Sequence, residues 1–134
     1  MKDIIFYNET HANLFFEGTP KYSEEMGGMD NDRAAALYLA SLVACLEEVP
    51  LWKVYDSNIL KIKLEYLDHD TRYTLTEQLM LLAYNLETGR TCYGKKQLYS
   101  ISLLFSMFNV DEILPYVMEA LNLLFPIFDS VVHD

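Results

Sequence analysis

The chain has 134 residues, of which 51% are hydrophobic and 13% aromatic, and this composition excludes intrinsic disorder. Acidic residues outnumber basic residues by 20 to 10, which gives a formal charge of −10. Such a balance argues against direct binding to nucleic acid or to anionic membranes, because both need clustered Lys and Arg. It favours a basic protein as partner, or solubility alone. The length predicts one domain over residues 1–134.

We expect no secretory leader, because the apolar run in MKDIIFYNE is too short for one. No stretch has the length and apolarity of a membrane span. We therefore expect a cytoplasmic protein, located in the host cytoplasm if a phage encodes it. In that compartment Cys45 and Cys92 are expected to be free thiols.

Two helices are predicted before Pro50. Asn8 can cap a short helix over residues 9–16. Asp30 can cap a second helix over residues 31–48, which Pro50 ends. A loop rich in Gly, Pro and Ser separates them. We expect the apolar residues around the first helix to lie in the core: Ile5, Phe6, Phe15 and Phe16.

Residues 51–70 allow two interpretations. Trp52, Val54 and Tyr55 indicate a buried aromatic patch. Apolar residues then alternate with Lys61 and Lys63, which predicts a short half-buried strand and a hairpin near residues 54–64. A short helix over the same residues is the competing interpretation.

The stretch TLTEQLMLLAYNLETG, residues 74–89, is the most strongly marked helix. Thr74 and Glu77 have the spacing of a capping box, and Gly89 suits a helix end. Apolar residues cover most of the cylinder between 75 and 86, which is typical of a buried helix. A loop, RTCYGKK, is expected after Gly89, followed by a helix over 98–108. The alternation of Tyr99, Ile101 and Leu103 leaves a strand possible in its place. Asp111 can cap a last helix that runs to about residue 125, with Pro115 in its first turn. The predicted fold is all-α: five or six helices around a buried central helix at 75–86.

Acidic residues provide the main functional signal. A solvated surface is the ordinary meaning of such charges. The sharper hypothesis is a face that imitates DNA phosphates and occupies a basic groove on another protein. The residues of this predicted acidic face are Glu17, Glu24, Glu25, Asp30, Asp32, Glu47, Glu48, Glu65, Asp68 and Asp70.

The C-terminal part of the chain is apolar, and no Lys or Arg follows Lys96. Such a segment must be buried, either within its own fold or against a second copy. A homodimer through the last two helices is therefore one prediction, and an ordinary pair of core helices is the alternative. The predicted dimer interface consists of Leu114, Val117, Leu121, Leu124, Phe125 and Phe128.

Catalytic and metal-binding signals are weak. His69 stands among Glu65, Asp68 and Asp70, which could hold a divalent ion, but a polar turn explains the cluster as well. Cys92 lies near Arg90, which could lower its thiol pKa, yet no histidine stands at a recognisable distance. We therefore expect no enzyme, no cofactor and no metal.

Several segments occur in a familiar order: Phe6, Asn8, His11 and Phe15-Phe16, then DRAAALYLASL at 32–42, Val54-Tyr55-Asp56, and LAYNL at 82–86. This order resembles an uncharacterised family of short proteins from Firmicutes phages and mobile elements, over about residues 4–89. The Trp-Gln-Thr-Gly stretch of that family is absent, and Asp70-Thr71-Arg72-Tyr73 stands in its place. The resemblance implies a small intracellular protein of phage or mobile-element origin, and it transfers no known activity.

Two functions are consistent with these observations. The first is a non-enzymatic protein that inhibits a host nucleic-acid-handling defence protein, as anti-CRISPR proteins do, by docking its acidic face on a basic groove. The second is a structural or regulatory phage protein, dimeric through its C-terminal helices, whose acidity serves only solubility.

Overall fold

The computed structural model of the protein describes residues 4–19, 30–63, 75–89, 92–93, 96–97 and 112–124. These residues are mostly helical. They form α1 (Glu9–Gly18), α2 (Asn31–Glu47), α3 (Leu75–Thr88) and α4 (Leu114–Leu124), with a 3-10 helix at Leu51–Lys53. Two antiparallel hairpins complete the described elements: β1 (Tyr55–Asp56) with β2 (Lys61–Ile62), and β3 (Cys92–Tyr93) with β4 (Lys96–Gln97).

The predicted helix starts after Asn8 and Asp30 and the predicted end of α3 at Gly89 are confirmed, but three other ends differ. α1 runs to Gly18 and not to 16, and α2 ends at Glu47 because Glu48 is left-handed, before Pro50 is reached. α4 begins at Leu114 and not directly after Asp111. The Asn8 side chain accepts a hydrogen bond from the His11 N–H at 2.8 Å. The Asp30 side chain accepts one from the Arg33 N–H at 2.9 Å. Both bonds satisfy donors that the first helical turn leaves without partners. Gly89 follows α3 with a φ of 73°, a conformation that costs glycine nothing. The predicted capping box at Thr74 lies outside the described residues.

The helix at the centre of the described fold is α2, and not α3 alone. Ten consecutive residues of α2, from Ala35 to Ala44, are buried. A helix is buried on all sides only when neighbours surround it, and α2 packs against α1, α3 and α4. The other three helices contact one another little or not at all. The prediction that α3 is buried is confirmed, since Gln78 to Ala83 are buried, but the sequence did not identify α2 as the shared neighbour.

The hairpin predicted near residues 54–64 is present, and the competing helix is wrong. Tyr55 pairs with Ile62 and Asp56 with Lys61. Within the turn, the Asp56 carboxylate accepts a hydrogen bond from the Asn58 N–H at 2.9 Å. Leu60 then adopts a φ of 55°, which a helix does not permit.

The described residues contain four α-helices, so the predicted count of five or six is not matched. The β1–β2 hairpin occupies the segment in which a sixth helix was the competing interpretation. An Asx turn at Asp56 and the left-handed Leu60 reverse the chain there. The helix predicted over 98–108 lies outside the described residues. In addition, β3 and β4 form a hairpin within the segment predicted as a loop. Gly94 was the available signal, because a two-residue connection that begins with glycine is typical of hairpins.

None of the helices in the described part of the chain combines the length and apolarity that crossing a membrane requires.

Candidate interaction surfaces

The N-terminal residues that carried the family resemblance lie in one aromatic cluster. The Phe6 ring lies 5.1 Å from the ring of His11 and 5.8 Å from that of Tyr38, between centroids. The rings of His11 and Tyr38 lie 4.7 Å apart, and Phe15 closes the cluster. The cluster holds the segment before α1 against α2, so these residues have a structural role.

His11 is fully buried, and both of its ring nitrogens have partners. Nδ1 accepts a hydrogen bond from the Tyr7 N–H at 3.1 Å. Nε2 therefore carries the proton and donates it to the Tyr38 carbonyl oxygen at 3.0 Å. Burial lowers the pKa of His11 to about 4, although the bond to Tyr38 opposes this shift. A neutral, buried imidazole with both nitrogens occupied is a packing element and not an available base.

Ile5 connects the N-terminal segment to two helices through its backbone. The Tyr38 hydroxyl of α2 donates a hydrogen bond to the Ile5 carbonyl oxygen. The Ile5 N–H donates to the carboxylate of Glu119 on α4 at 3.0 Å. Glu119 is buried, so this bond replaces part of the hydration that its carboxylate loses. The two bonds fix the start of the chain against α2 and α4.

The residues of the predicted acidic face that the structure describes are all exposed. Five lie outside the described residues: Glu24, Glu25, Glu65, Asp68 and Asp70. The five described residues are on α1 and α2 or at their ends: Glu17, Asp30, Asp32, Glu47 and Glu48.

The acidic residues of α2 form two groups, at opposite ends of the helix. Asp30 and Asp32 lie at its N-terminus, and Glu47 and Glu48 at its C-terminus. At 1.5 Å of rise per residue, about 22 Å of helix separates Asp32 from Glu47. Arg33 lies 3.7 Å from the Asp30 carboxylate and offsets part of the first group's charge. The described acids therefore offer two separate contacts and not one continuous row.

Trp52 lies on the surface, and its predicted burial is wrong. The side chain is 63% exposed, whereas Val54 and Tyr55 are buried as predicted. Residues three apart share a face of a 3-10 helix, so Leu51 and Val54 point into the core while Trp52 points away. The Nζ atoms of Lys53 and Lys63 lie 5.8 Å and 5.9 Å from the Trp52 ring centroid. The three-residue spacing of Leu51 and Val54 was the signal in the sequence that could have placed Trp52 outside the core.

Two more residues predicted in the core are exposed. Ile5 is 56% exposed and Phe16 is 58% exposed, whereas Phe15 is buried as predicted. Ile5 uses its backbone to hold the chain start, which leaves its side chain outside. Phe16 follows the buried Phe15 on α1, and adjacent helical residues face different directions.

Glu87 and Tyr55 lie where α3 meets the first hairpin. The Glu87 carboxylate accepts a hydrogen bond from the Ile62 N–H at 3.2 Å. Burial raises the pKa of Glu87, although the Ile62 bond and the charge of Arg33 act in the opposite direction. The Tyr55 hydroxyl is buried and, among the described residues, has no hydrogen-bond partner. Such a group carries an uncompensated cost of desolvation.

The predicted dimer interface is divided between core and surface. Val117 is fully buried within its own chain, and Leu121 and Leu124 pack partly buried against the core. Leu114 is 37% exposed, and Met118, one turn further on, is 47% exposed. Phe125 and Phe128 lie outside the described residues. The dimer stays a prediction, and the surface available for it on α4 is centred on Leu114 and Met118.

The thiol and metal hypotheses fall mostly on residues that the structure leaves undescribed. Cys45 is a free, half-buried cysteine whose Sγ lies 3.3 Å from the Asn8 side-chain oxygen. The cluster around His69 and the side chain of Cys92 lie outside the described residues. Within the described ranges, no group of three or more His, Cys, Asp or Glu could hold a metal ion.

Comparison with known proteins identifies a family and no activity. No curated protein and no solved structure matches the chain. The model of the family of unknown function DUF6075 matches residues 1–130, including the C-terminal part that the sequence resemblance did not cover. The chain therefore belongs to an uncharacterised family, the family of unknown function DUF6075.

Proposed function

We propose that the protein is a non-enzymatic binding protein that docks its acidic side chains on a basic protein partner. The observation that carries this proposal is the exposure of Glu17, Asp30, Asp32, Glu47 and Glu48 in a chain with a formal charge of −10. Exposed carboxylates need no desolvation until a partner arrives, and their summed field accelerates encounter with a basic surface.

The partner class follows from charge complementarity. A protein that handles nucleic acid presents clustered Lys and Arg to bind phosphates, and these are the groups that exposed carboxylates would contact. The two acidic groups at the ends of α2 would engage separate parts of such a surface, about 22 Å apart.

We further propose phage or mobile-element origin and inhibition of a host defence protein, in the manner of an anti-CRISPR protein. The resemblance of residues 4–89 to short phage proteins supports the origin. The acidic charge supports inhibition by occupation of a basic groove.

The test is affinity capture from a host lysate at low and at high salt, with variants that remove charge and preserve structure. Asp30→Asn with Asp32→Asn keeps the N-cap, because Asn caps as well as Asp. Glu47→Gln with Glu48→Asn suits the left-handed conformation of Glu48, which Asn tolerates. Glu9→Gln with Glu112→Gln is the matched control, since both residues are exposed and the loss of charge is equal.

The proposal predicts that a basic nucleic-acid-binding protein is captured at low salt and released at high salt. The two α2 variants should each capture less, while the control captures as the wild type does. Equal capture by all variants would exclude the α2 residues as the binding surface.

A dimer through α4 is the second candidate function, and the exposed pair Leu114 and Met118 favours it. Exposed apolar residues one turn apart form the kind of stripe that a second helix can cover. Sedimentation should then show a dimer that Leu114→Glu with Met118→Glu dissociates. A monomer at every concentration would remove this candidate.

A further inference from the structure

We propose that Trp52, Lys53 and Lys63 form a docking surface for an acidic protein segment, separate from the acidic residues on α2. We call these three residues the Trp52 surface. It is the place in the described structure where cationic side chains and a largely exposed aromatic ring coincide.

The Trp52 surface is held in place before any partner arrives. Leu51 and Val54, on either side of Trp52 and Lys53, are buried in the core. The Lys63 N–H donates a hydrogen bond to the Val54 carbonyl oxygen at 2.8 Å, which fixes Lys63 beside the 3-10 helix. A rigid anchor loses little conformational entropy on binding, so more of the contact energy is retained as affinity.

The chemistry of the Trp52 surface selects the partner. Tryptophan is enriched among the residues that dominate binding energy, because its large ring can be buried by a partner. The two ammonium groups, 5.8 Å and 5.9 Å from the ring centroid, would pair with carboxylates, and the exposed part of the ring would cover an aliphatic or aromatic side chain. The matching segment carries Asp or Glu on both sides of one apolar residue.

Nucleic acid fits this surface less well than an acidic protein segment. Aromatic stacking with lysines is also a feature of single-strand binding, but that binding needs a groove of positive charge. The chain has a formal charge of −10, which repels a phosphate backbone at long range. A short acidic segment makes local contacts and presents far fewer charges to the rest of the protein.

Trp52 is the chain's one tryptophan, so fluorescence excited at the red edge of the absorption band, where the 10 tyrosines absorb little, reports on this surface. The experiment titrates the full chain with a short glutamate-rich peptide that has a single central leucine. The matched variants are Lys53→Gln with Lys63→Gln, and Thr10→Glu with Asn13→Glu. Both change the net charge by two, but Thr10 and Asn13 are exposed residues of α1. Lys53→Arg with Lys63→Arg tests whether charge alone suffices.

The proposal predicts that the peptide changes Trp52 emission and binds about tenfold more weakly when ionic strength rises well above physiological levels. The Gln variant should lose about tenfold in affinity, whereas the α1 control and the Arg variant should bind as the wild type does. Unchanged emission, or equal affinity in the Gln variant, would overturn the proposal. Tighter binding of a single-stranded oligonucleotide would replace the partner with nucleic acid. An emission change on raising the protein concentration alone would replace it with a second copy.

Discussion

Removing the hydroxyl group from each of two buried tyrosines is expected to change the free energy of unfolding in opposite directions. Tyr38 and Tyr55 are 0% and 1% exposed. The Tyr38 hydroxyl donates to the Ile5 carbonyl oxygen, whereas the Tyr55 hydroxyl has no partner among the described residues. Burial raises the pKa of both hydroxyls, so both stay protonated near neutral pH. Tyr→Phe removes one oxygen at either position and leaves the ring packing in place.

The magnitudes follow from the partners. Tyr38→Phe loses a hydrogen bond and leaves the Ile5 carbonyl without this donor, so the free energy of unfolding should fall by about 1–2 kcal/mol. Tyr55→Phe removes a buried hydroxyl that has lost its hydration without gaining a hydrogen bond, so the free energy of unfolding should rise by about 1 kcal/mol. The two variants should therefore differ by about 2–3 kcal/mol. For a domain of this size each kcal/mol moves Tm by about 4 °C.

Urea unfolding measures the free energy of unfolding of both variants. An unchanged slope of that free energy against urea concentration shows that the surface exposed on unfolding is the same. The expected result is a lower midpoint for Tyr38→Phe and a higher midpoint for Tyr55→Phe. Equal destabilisation by both substitutions would refute the reasoning, because it would show that the Tyr55 hydroxyl makes a bond that stabilises the fold.

Three further predictions concern the N-terminal cluster and α2. Burial lowers the pKa of His11 from 6.5 in the unfolded chain to about 4 in the folded chain. The folded state therefore has its full stability with respect to His11 above pH 6.5, and the free energy of unfolding falls by about 3 kcal/mol as the pH falls to 4. A His11→Phe variant should lack that part of the pH dependence of urea unfolding, and an unchanged profile would contradict it. Glu119→Ala removes the acceptor of the Ile5 N–H and should lower the free energy of unfolding by about 1–2 kcal/mol. Glu119→Gln keeps a side-chain oxygen as acceptor, so thermal unfolding should show a smaller loss. Glu48→Gly should raise the unfolding free energy by about 1 kcal/mol, since Glu48 has a φ of 55°; a destabilised variant would show that its side chain matters more than its backbone.

Local signals predicted the helices well, because the groups that decide helix ends are close in sequence. Asn8 and Asp30 each satisfy a donor three residues away, and Gly89 ends α3 by its own backbone freedom. The position of α2 as the shared neighbour depends on contacts between distant segments. Both α2 and α3 carry long buried runs, and an apolar pattern shows that a helix is buried without showing which helices surround it.

The surfaces were harder to predict than the helices. Trp52, Ile5 and Phe16 are apolar and were expected inside, yet each lies outside for a local reason. Apolar type alone cannot show which residues a protein leaves exposed, because much of any protein surface is apolar. The exposure of Glu47 and Glu48 was easier to foresee, since a charged carboxylate is costly to remove from water. Their separation from Asp30 and Asp32 follows from the predicted helix over 31–48, which places the two groups at its opposite ends.

The central claim is that exposed acidic residues on α2 bind a basic partner. The most direct measurement is capture from host lysate by the wild type and by a variant carrying Asp30→Asn, Asp32→Asn, Glu47→Gln and Glu48→Asn. The account predicts that the wild type retains a basic nucleic-acid-binding protein at low salt, loses it at high salt, and that the variant retains little of it at either. Equal retention by wild type and variant, or no captured protein at low salt, would contradict the account.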